Sequence, residues 1–379
     1  MRLAFVTGSL VHGGAERQSI TLANRLSERG HECHAVYVKN DPSQLARLRL
    51  RAPGSVTCLH ASRYLDLQAV FSLKALFSRI NPSAVVATNP YALMYASLAA
   101  PRSPLLVTLH STWLRNAKEQ LQMLAYRPFF WAADCAVFVC QRQRRHWRRR
   151  VVFARRNEVI YNGVDTEHWQ PPPGTASIRR LVGFDEGDLV IGMSAVLRPE
   201  KNPLQLVDAV AMLRRRGLPA RALMIGDGPL RAAVEERARR LGVAHDVAIT
   251  GLQQDVRPFV AACDALALTS FTEAFSLAAL EAMALGLPVV HADVGGAAEM
   301  ISPHENGFLF PVGDTAALAD RLAALASRDR RTRMGAKARE RVASRFSERS
   351  MVDRYEQTLQ ELATSRSKRE HLRKRAAAH

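Results

Sequence analysis

Thr272-Glu273-Ala274-Phe275-Ser276-Leu277-Ala278-Ala279-Leu280-Glu281-Ala282-Met283-Ala284 is the stretch on which the reading of this chain turns. Two carboxylates, Glu273 and Glu281, stand eight positions apart among small and apolar residues. The pattern predicts a helix over 276–285, with Glu273 in the loop before it and Glu281 at least a turn inside. A helix start presents backbone N–H groups without intrahelical partners and the positive end of the dipole, which suits a phosphate. An acid deeper in the helix is placed to accept hydrogen bonds from vicinal hydroxyls. The plain alternative is an amphipathic helix with solvated glutamates. Phe275, Leu277, Ala278, Leu280 and Met283 leave little polar face for that, and a carboxylate in such surroundings needs a partner.

Outward from this stretch, short apolar runs alternate with helical patterns. Strands are expected at 190–195, 222–225, 247–250, 265–269 and 288–291, with helices over 203–216 and 229–241 between them. The first half shows the same rhythm. A strand at 3–6 leads through Gly8 and Gly13-Gly14 into a helix closed by Gly30, and further strands are expected at 34–38, 84–88, 105–108 and 135–140. Such alternation predicts parallel sheets with helices on both faces. Pro171-Pro172-Pro173-Gly174 reads as a linker. The expected division is an N-terminal domain over 1–168, a C-terminal domain over 169–346, a helix over 347–363 and a disordered basic tail over 364–379.

In open α/β sheets ligands bind beyond the carboxyl ends of the strands, and with two such domains the expected site is a cleft that both face. Gly13, Gly14, His110, Lys201, Gly226, Asp227 and Glu273 all follow expected strands, and Asn162 stands at the expected junction between the domains. Gly13-Gly14 lets a backbone approach a diphosphate closely, although a plain turn would use the same residues. His110 ends an apolar strand before Ser111-Thr112, a position at a cleft rather than in a core. Asn162 and Asp165 serve equally well as a turn that sets the linker or as direct contacts.

Composition narrows the function classes. Of the 379 residues, 53 are Lys or Arg and 35 are Asp or Glu, a formal net charge of +18 that speaks to anionic partners. One basic cluster holds Arg142, Arg144, Arg145, Arg148 and Arg149 around Trp147, and a second lies in the tail from 365 to 375. The first reads either as a helix lying on an anionic lipid surface, with those six residues in contact, or as a solvated basic helix. No zinc-finger, RNP or helix-turn-helix pattern accompanies either cluster, so no nucleic-acid partner is expected. Five scattered cysteines without a C-x-x-C pair predict reduced thiols and a cytoplasmic setting. The opening apolar run is too short for a signal peptide, and no stretch of 18 apolar residues is present to span a bilayer.

Taken in order, Gly13-Gly14-Ala15-Glu16-Arg17, Leu109-His110, Asn162-Gly163-Val164-Asp165, Pro199-Glu200-Lys201, Gly226-Asp227-Gly228-Pro229 and the Glu273/Glu281 pair resemble the motifs of the GT-B retaining glycosyltransferases. The similarity is to the glycosyltransferase family 4, or "glycosyl transferases group 1", type. It runs from residue 3 to about 362, and its specific part is the run from Glu273 through Gly286-Leu287-Pro288, Gly295-Gly296, Glu299 and Asn306-Gly307.

The resemblance implies two Rossmann-like α/β domains facing a cleft, with the C-terminal helix packing back towards the first. It implies transfer of a sugar from a nucleotide-diphosphate donor to a glycan or lipid-linked acceptor, in bacterial surface polysaccharide or glycolipid synthesis. His110, Lys201 and Glu273 would be the catalytic residues. The donor would be held by Gly13, Gly14, Asn162, Arg198, Lys201, Gly226, Leu252, Glu273, Ala274, Phe275, Ser276, Leu277 and Glu281, with Glu281 on the ribose. Ser276 stands where glycine is frequent in the family, and Val196 stands where an arginine is common, five residues before Lys201. Arg198 shares the parity of 196 along an extended strand and is the candidate replacement. No second carboxylate offers itself as a double-displacement nucleophile, so same-face substitution assisted by the leaving phosphate is expected. No metal-ligand cluster appears, lysine and helix dipole can do a cation's work, and no cofactor is expected. The expected location is the inner face of the cytoplasmic membrane, held peripherally. The weighed alternatives are a non-hydrolysing sugar-nucleotide epimerase and a basic membrane- or nucleic-acid-binding protein on a degenerate GT-B fold.

Overall fold

The apolar runs fold as two parallel sheets. The computed structural model describes residues 1–376 apart from 12, 100, 101, 113, 115, 173 and 174. The chain divides into two compact units, Met1–Asn162 with Arg349–His379, and Gly163–Glu348, against the expected boundaries at 168 and 346.

The first unit runs β1 (Arg2–Thr7), α1 (Gly14–Glu28), β2 (Glu32–Tyr37), β3 (Val56–Cys58), α2 (Leu67–Ile80), β4 (Ala84–Thr88), α3 (Asn89–Leu98), β5 (Leu105–Leu109), α4 (Ala117–Ala132), β6 (Cys135–Phe138), α5 (Gln141–Arg149) and β7 (Arg156–Val159). Its sheet order is β3-β2-β1-β4-β5-β6-β7, with every pairing parallel. The two-residue strand period divides the core. Ala4, Val6, Val85 and Ala87 face one layer, while Leu3, Phe5, Ala84 and Val86 face the other. The edge strands β3 and β7 escaped the sequence reading because they are short and carry polar residues such as Arg156, Asn157 and Glu158.

The second unit runs α6 (Thr175–Leu181), β8 (Leu189–Ser194), α7 (Pro203–Arg215), β9 (Ala220–Ile225), α8 (Arg231–Arg240), β10 (Val247–Ile249), α9 (Arg257–Ala261), β11 (Ala265–Leu268), α10 (Leu277–Ala284), β12 (Val289–Ala292), α11 (Ala297–Met300), β13 (Gly307–Phe310), α12 (Thr315–Ala323) and α13 (Arg328–Arg345). Its order is β10-β9-β8-β11-β12-β13, again parallel throughout. Pro173 and Gly174 of the expected linker lie outside the described residues.

The last helix, α14 (Glu348–Ala376), returns to the first unit. Met351, Val352, Tyr355, Leu359 and Leu362 pack on Leu3, Phe5, Leu106 and Val137. Arg29 pairs with Asp353 and Glu356 at 2.6 Å each, and Arg156 with Glu361 at 2.7 Å. The expected disordered tail is corrected over 364–376, where the helix continues because no Gly or Pro stops it; residues 377–379 lie outside the described residues. No described helix is long and apolar enough to cross a membrane.

Candidate active site

In the second unit the loops at the carboxyl ends of the strands interlock. After β9, Gly226 turns at φ +137°, and a Cβ there would overlap the carbonyl oxygen of Ala195. Gly226 also bridges to Gly251 after β10. Beyond β8, the Leu197 N–H donates to Asp227 O at 2.9 Å, and the chain enters a short 3₁₀ turn, Pro199–Lys201. After β12, Gly295 at φ +51° lies against the backbone of Glu273, where any side chain would collide with the Glu273 carbonyl. The Gly296 N–H then donates to Ala274 O at 2.7 Å. These contacts carry Lys201 and Glu273, 72 positions apart, to one place.

There they form an ion pair, Lys201 Nζ to Glu273 Oε1 at 2.5 Å. Ser270 Oγ donates to the same oxygen at 3.0 Å, and Thr269 Oγ1 donates to the carbonyls of Lys201 and Asn202 at 2.9 and 2.8 Å. Burial pushes the Glu273 pKa up. The Lys201 charge and hydrogen bond, with His291 and Ser270, outweigh it and hold the carboxyl below its ordinary range. His291, fully buried on β12, was not anticipated from sequence, where it reads as one more residue of an apolar strand. Its Nδ1 lies 2.7 Å from Ala292 O and so donates to it, and its Nε2 has no hydrogen-bond partner among the described residues. Burial lowers its pKa more than Glu273 and the Ala292 carbonyl raise it, which disfavours the charged ring.

Ser276 is the N-cap of α10, and its Oγ accepts from the Ala279 N–H at 3.3 Å. The serine therefore does cap work that glycine cannot, and leaves the N–H groups of Leu277 and Ala278 at the open helix end. Ala274 and Phe275 are buried just before the cap. Glu281 lies buried a turn further along. Leu252, next to Gly251, is 80% exposed. The parity argument for Arg198 is corrected: its N–H donates back to Val196 O at 2.8 Å, a tight turn in which strand alternation does not apply. Arg198 itself is exposed.

In the first unit Gly13 is the N-cap of α1 and Gly14 its first residue, so the pair stands at a helix start after β1. Asn162 is buried at the unit's end. His110 follows β5, partly buried, and burial pushes its pKa down to about 4, which keeps it neutral near pH 7. The loop after His110 hangs from α5. Trp147 Nε1 and Gln143 Nε2 both donate to the Ser111 carbonyl, at 2.9 and 3.2 Å. This corrects the reading of Trp147 as a membrane contact. It is 1% exposed, because its indole packs into the core and spends its N–H on Ser111. Arg142, Arg145, Arg148 and Arg149 are exposed and Arg144 is half-buried.

Comparison with known proteins follows the same division. The model of "Glycosyl transferases group 1" matches residues 175–341, and that of "Glycosyltransferase Family 4" matches residues 12–168. The chain is 30% identical over 200 residues to the N-acetyl-alpha-D-glucosaminyl L-malate synthase of Bacillus anthracis, covering 52% of either chain. It is 31% identical over 191 residues to the lipopolysaccharide core biosynthesis mannosyltransferase LpsB of Rhizobium meliloti, covering 48% of this chain and 53% of that one. The alignments thus span about half the length of these relatives. The fold matches that of Anabaena HepE in complex with UDP, with a TM-score of 0.84 at 23% identity over 95% of this chain and 100% of the other. With one family model on each unit and a GT-B structural match across both, the chain belongs to the GT-B glycosyltransferases of the family 4, or group 1, type.

Proposed function

We propose that this protein is a retaining, metal-independent glycosyltransferase. It moves a sugar from a nucleoside-diphosphate donor to a glycan or lipid-linked acceptor, in bacterial surface polysaccharide or glycolipid synthesis. It works peripherally on the inner face of the cytoplasmic membrane. The observation that carries the reading is the Lys201–Glu273 pair beside the capped start of α10, with Glu281 buried on that helix.

Each group then has a task. An ammonium has three N–H donors; one is on Glu273, and the others can meet the diphosphate as it departs. The N–H groups of Leu277 and Ala278 and the helix dipole add to that stabilisation, which does a cation's work without one. Glu273, kept ionised, accepts from hydroxyls of the donor sugar, and Glu281 from the ribose. Leu252 offers apolar surface to the base. Neutral His110 accepts from a hydroxyl of the transferred sugar rather than acting as a strong base. The bond from the anomeric carbon to phosphate breaks while the acceptor oxygen bonds on the same face, and the acceptor proton passes to a phosphate oxygen.

A thermal-shift screen against UDP, GDP, ADP and CMP tests the donor site. At a ligand concentration of a hundred times Kd, stabilisation of about 2.7 kcal/mol is expected for one nucleoside diphosphate. Glu281→Ala should abolish it. No response to any of the four would point away from a donor site and towards a binding protein on this fold.

A further inference from the structure

With Trp147 buried, the arginines of α5 have lost the aromatic anchor expected beside them, but the neighbouring surface supplies another. Helix α4 carries exposed side chains at 117, 118, 120, 121, 124, 125, 128, 131 and 132. From Leu121 on, the exposed residues keep helical spacing along one face and are all apolar (Leu121, Leu124, Ala125, Pro128, Trp131 and Ala132), with Lys118 and Gln120 bordering the face at its first turn. Leu121 is 68% exposed and Trp131 46%. A helix face of this kind ordinarily turns inward, and left outside it marks an interaction site.

The face does not end with the helix. Trp131 Nε1 donates to Val151 O at 3.2 Å, and its ring lies 6.5 Å from that of Phe153. Val151 and Phe153 are themselves exposed. Phe153 in turn lines a cavity of about 360 Å³ with Arg144 and Arg148 of α5. The apolar strip therefore runs straight into the arginine cluster. Arg145, Arg148 and Arg149 are exposed, and no ion pair involves them among the described residues. Such charges have no internal task, and their sign selects an anionic partner.

We propose that this face of α4, with Val151, Phe153 and the exposed arginines of α5, is the surface by which the protein docks on an anionic lipid bilayer. Trp131 and the leucines enter the boundary between headgroups and acyl chains, while the arginines meet lipid phosphates. The assignment rests on the peripheral-membrane reading above and names its surface.

Flotation of the full chain with phosphatidylcholine vesicles, with and without phosphatidylglycerol, tests it. Wild type should bind the anionic vesicles only, and high salt should weaken binding. Leu121→Gln/Leu124→Gln, and separately Arg145→Gln/Arg148→Gln/Arg149→Gln, should each lower partitioning by about tenfold or more with an unchanged melting temperature. Leu181→Gln, exposed on the other unit, should bind as wild type does. If wild type ignores anionic vesicles, the membrane reading itself falls. If it binds and both multiple variants bind equally well, only this surface is wrong. A dimer in light scattering that Leu121→Gln/Leu124→Gln dissolves would assign the face to a second copy and overturn the proposal.

Discussion

Lys201 and Glu273 show how one pair can serve stability and chemistry together. Glu273 is nearly buried, and a carboxylate there stays ionised because Lys201 and Ser270 meet it. Removing the lysine leaves that charge without its main partner. Lys201→Met should cost about 2 kcal/mol, less than the 3–5 kcal/mol of a fully buried pair because the lysine side chain is 30% exposed. The double variant Lys201→Met/Glu273→Gln should recover most of that loss, since the pair is then absent from both sides. Chemical denaturation of wild type, Lys201→Met, Glu273→Gln and the double variant measures the coupling. Transfer activity should behave differently, falling at least about a hundredfold in each variant without recovery. Recovery of activity in the double variant would mean that the pair is structural alone.

At the level of elements, the loop after β5 illustrates how a helix with an extreme sequence can do ordinary work. Arginines dominate α5 to the eye, yet the residues that matter to the neighbouring loop are Gln143 and Trp147, which hold Ser111 in place. His110 is thereby kept in a site that disfavours its charged form. In the unfolded chain the imidazole takes a proton near pH 6.5, in the folded chain only near 4. Between those values the unfolded state binds more protons, so stability rises with pH. His110 thus contributes fully above pH 6.5, and its contribution drains away as pH falls through about 4. Denaturation midpoints measured above and within this window should show a steeper fall for wild type than for His110→Asn. Parallel curves would mean that His110 is solvated as freely in the fold as in the open chain. The arginine cluster around Trp147 made α5 legible as a basic helix, but not which of its faces would be covered.

At the scale of the whole molecule, the chain's path matters more than any motif. Its last helix belongs to the unit built from its first residues, so Met351, Tyr355 and Leu359 complete a core begun by Leu3 and Phe5. Leu359 is fully buried in that layer. Leu359→Ala should therefore destabilise the first unit by about 2–5 kcal/mol, as the lost methyl groups leave a cavity. A lower melting temperature for that variant, with nucleotide binding to the second unit retained below the transition, is the expected result. Equal melting of wild type and variant would show that the helix contributes little to the unit's stability.

What the amino-acid sequence determined by itself is the class of fold and the order of its working parts. Apolar runs such as 84–88 and 105–109 are buried on both faces and must be central parallel strands. The pair Gly13-Gly14 marks a helix start whose backbone a phosphate can approach closely, and carboxylates set among apolar residues, such as Glu273 and Glu281, have few ways to be satisfied. These are local consequences of periodicity, backbone freedom and the cost of burying charge. Tertiary structure alone decided the rest. It placed Lys201 on Glu273, buried His291 within electrostatic reach of that carboxylate, turned Trp147 inward and left the apolar face of α4 outside. Each of these depends on which distant segment covers a side chain. Burial is set by neighbours in space, and a linear pattern states what a residue prefers without naming what will lie against it.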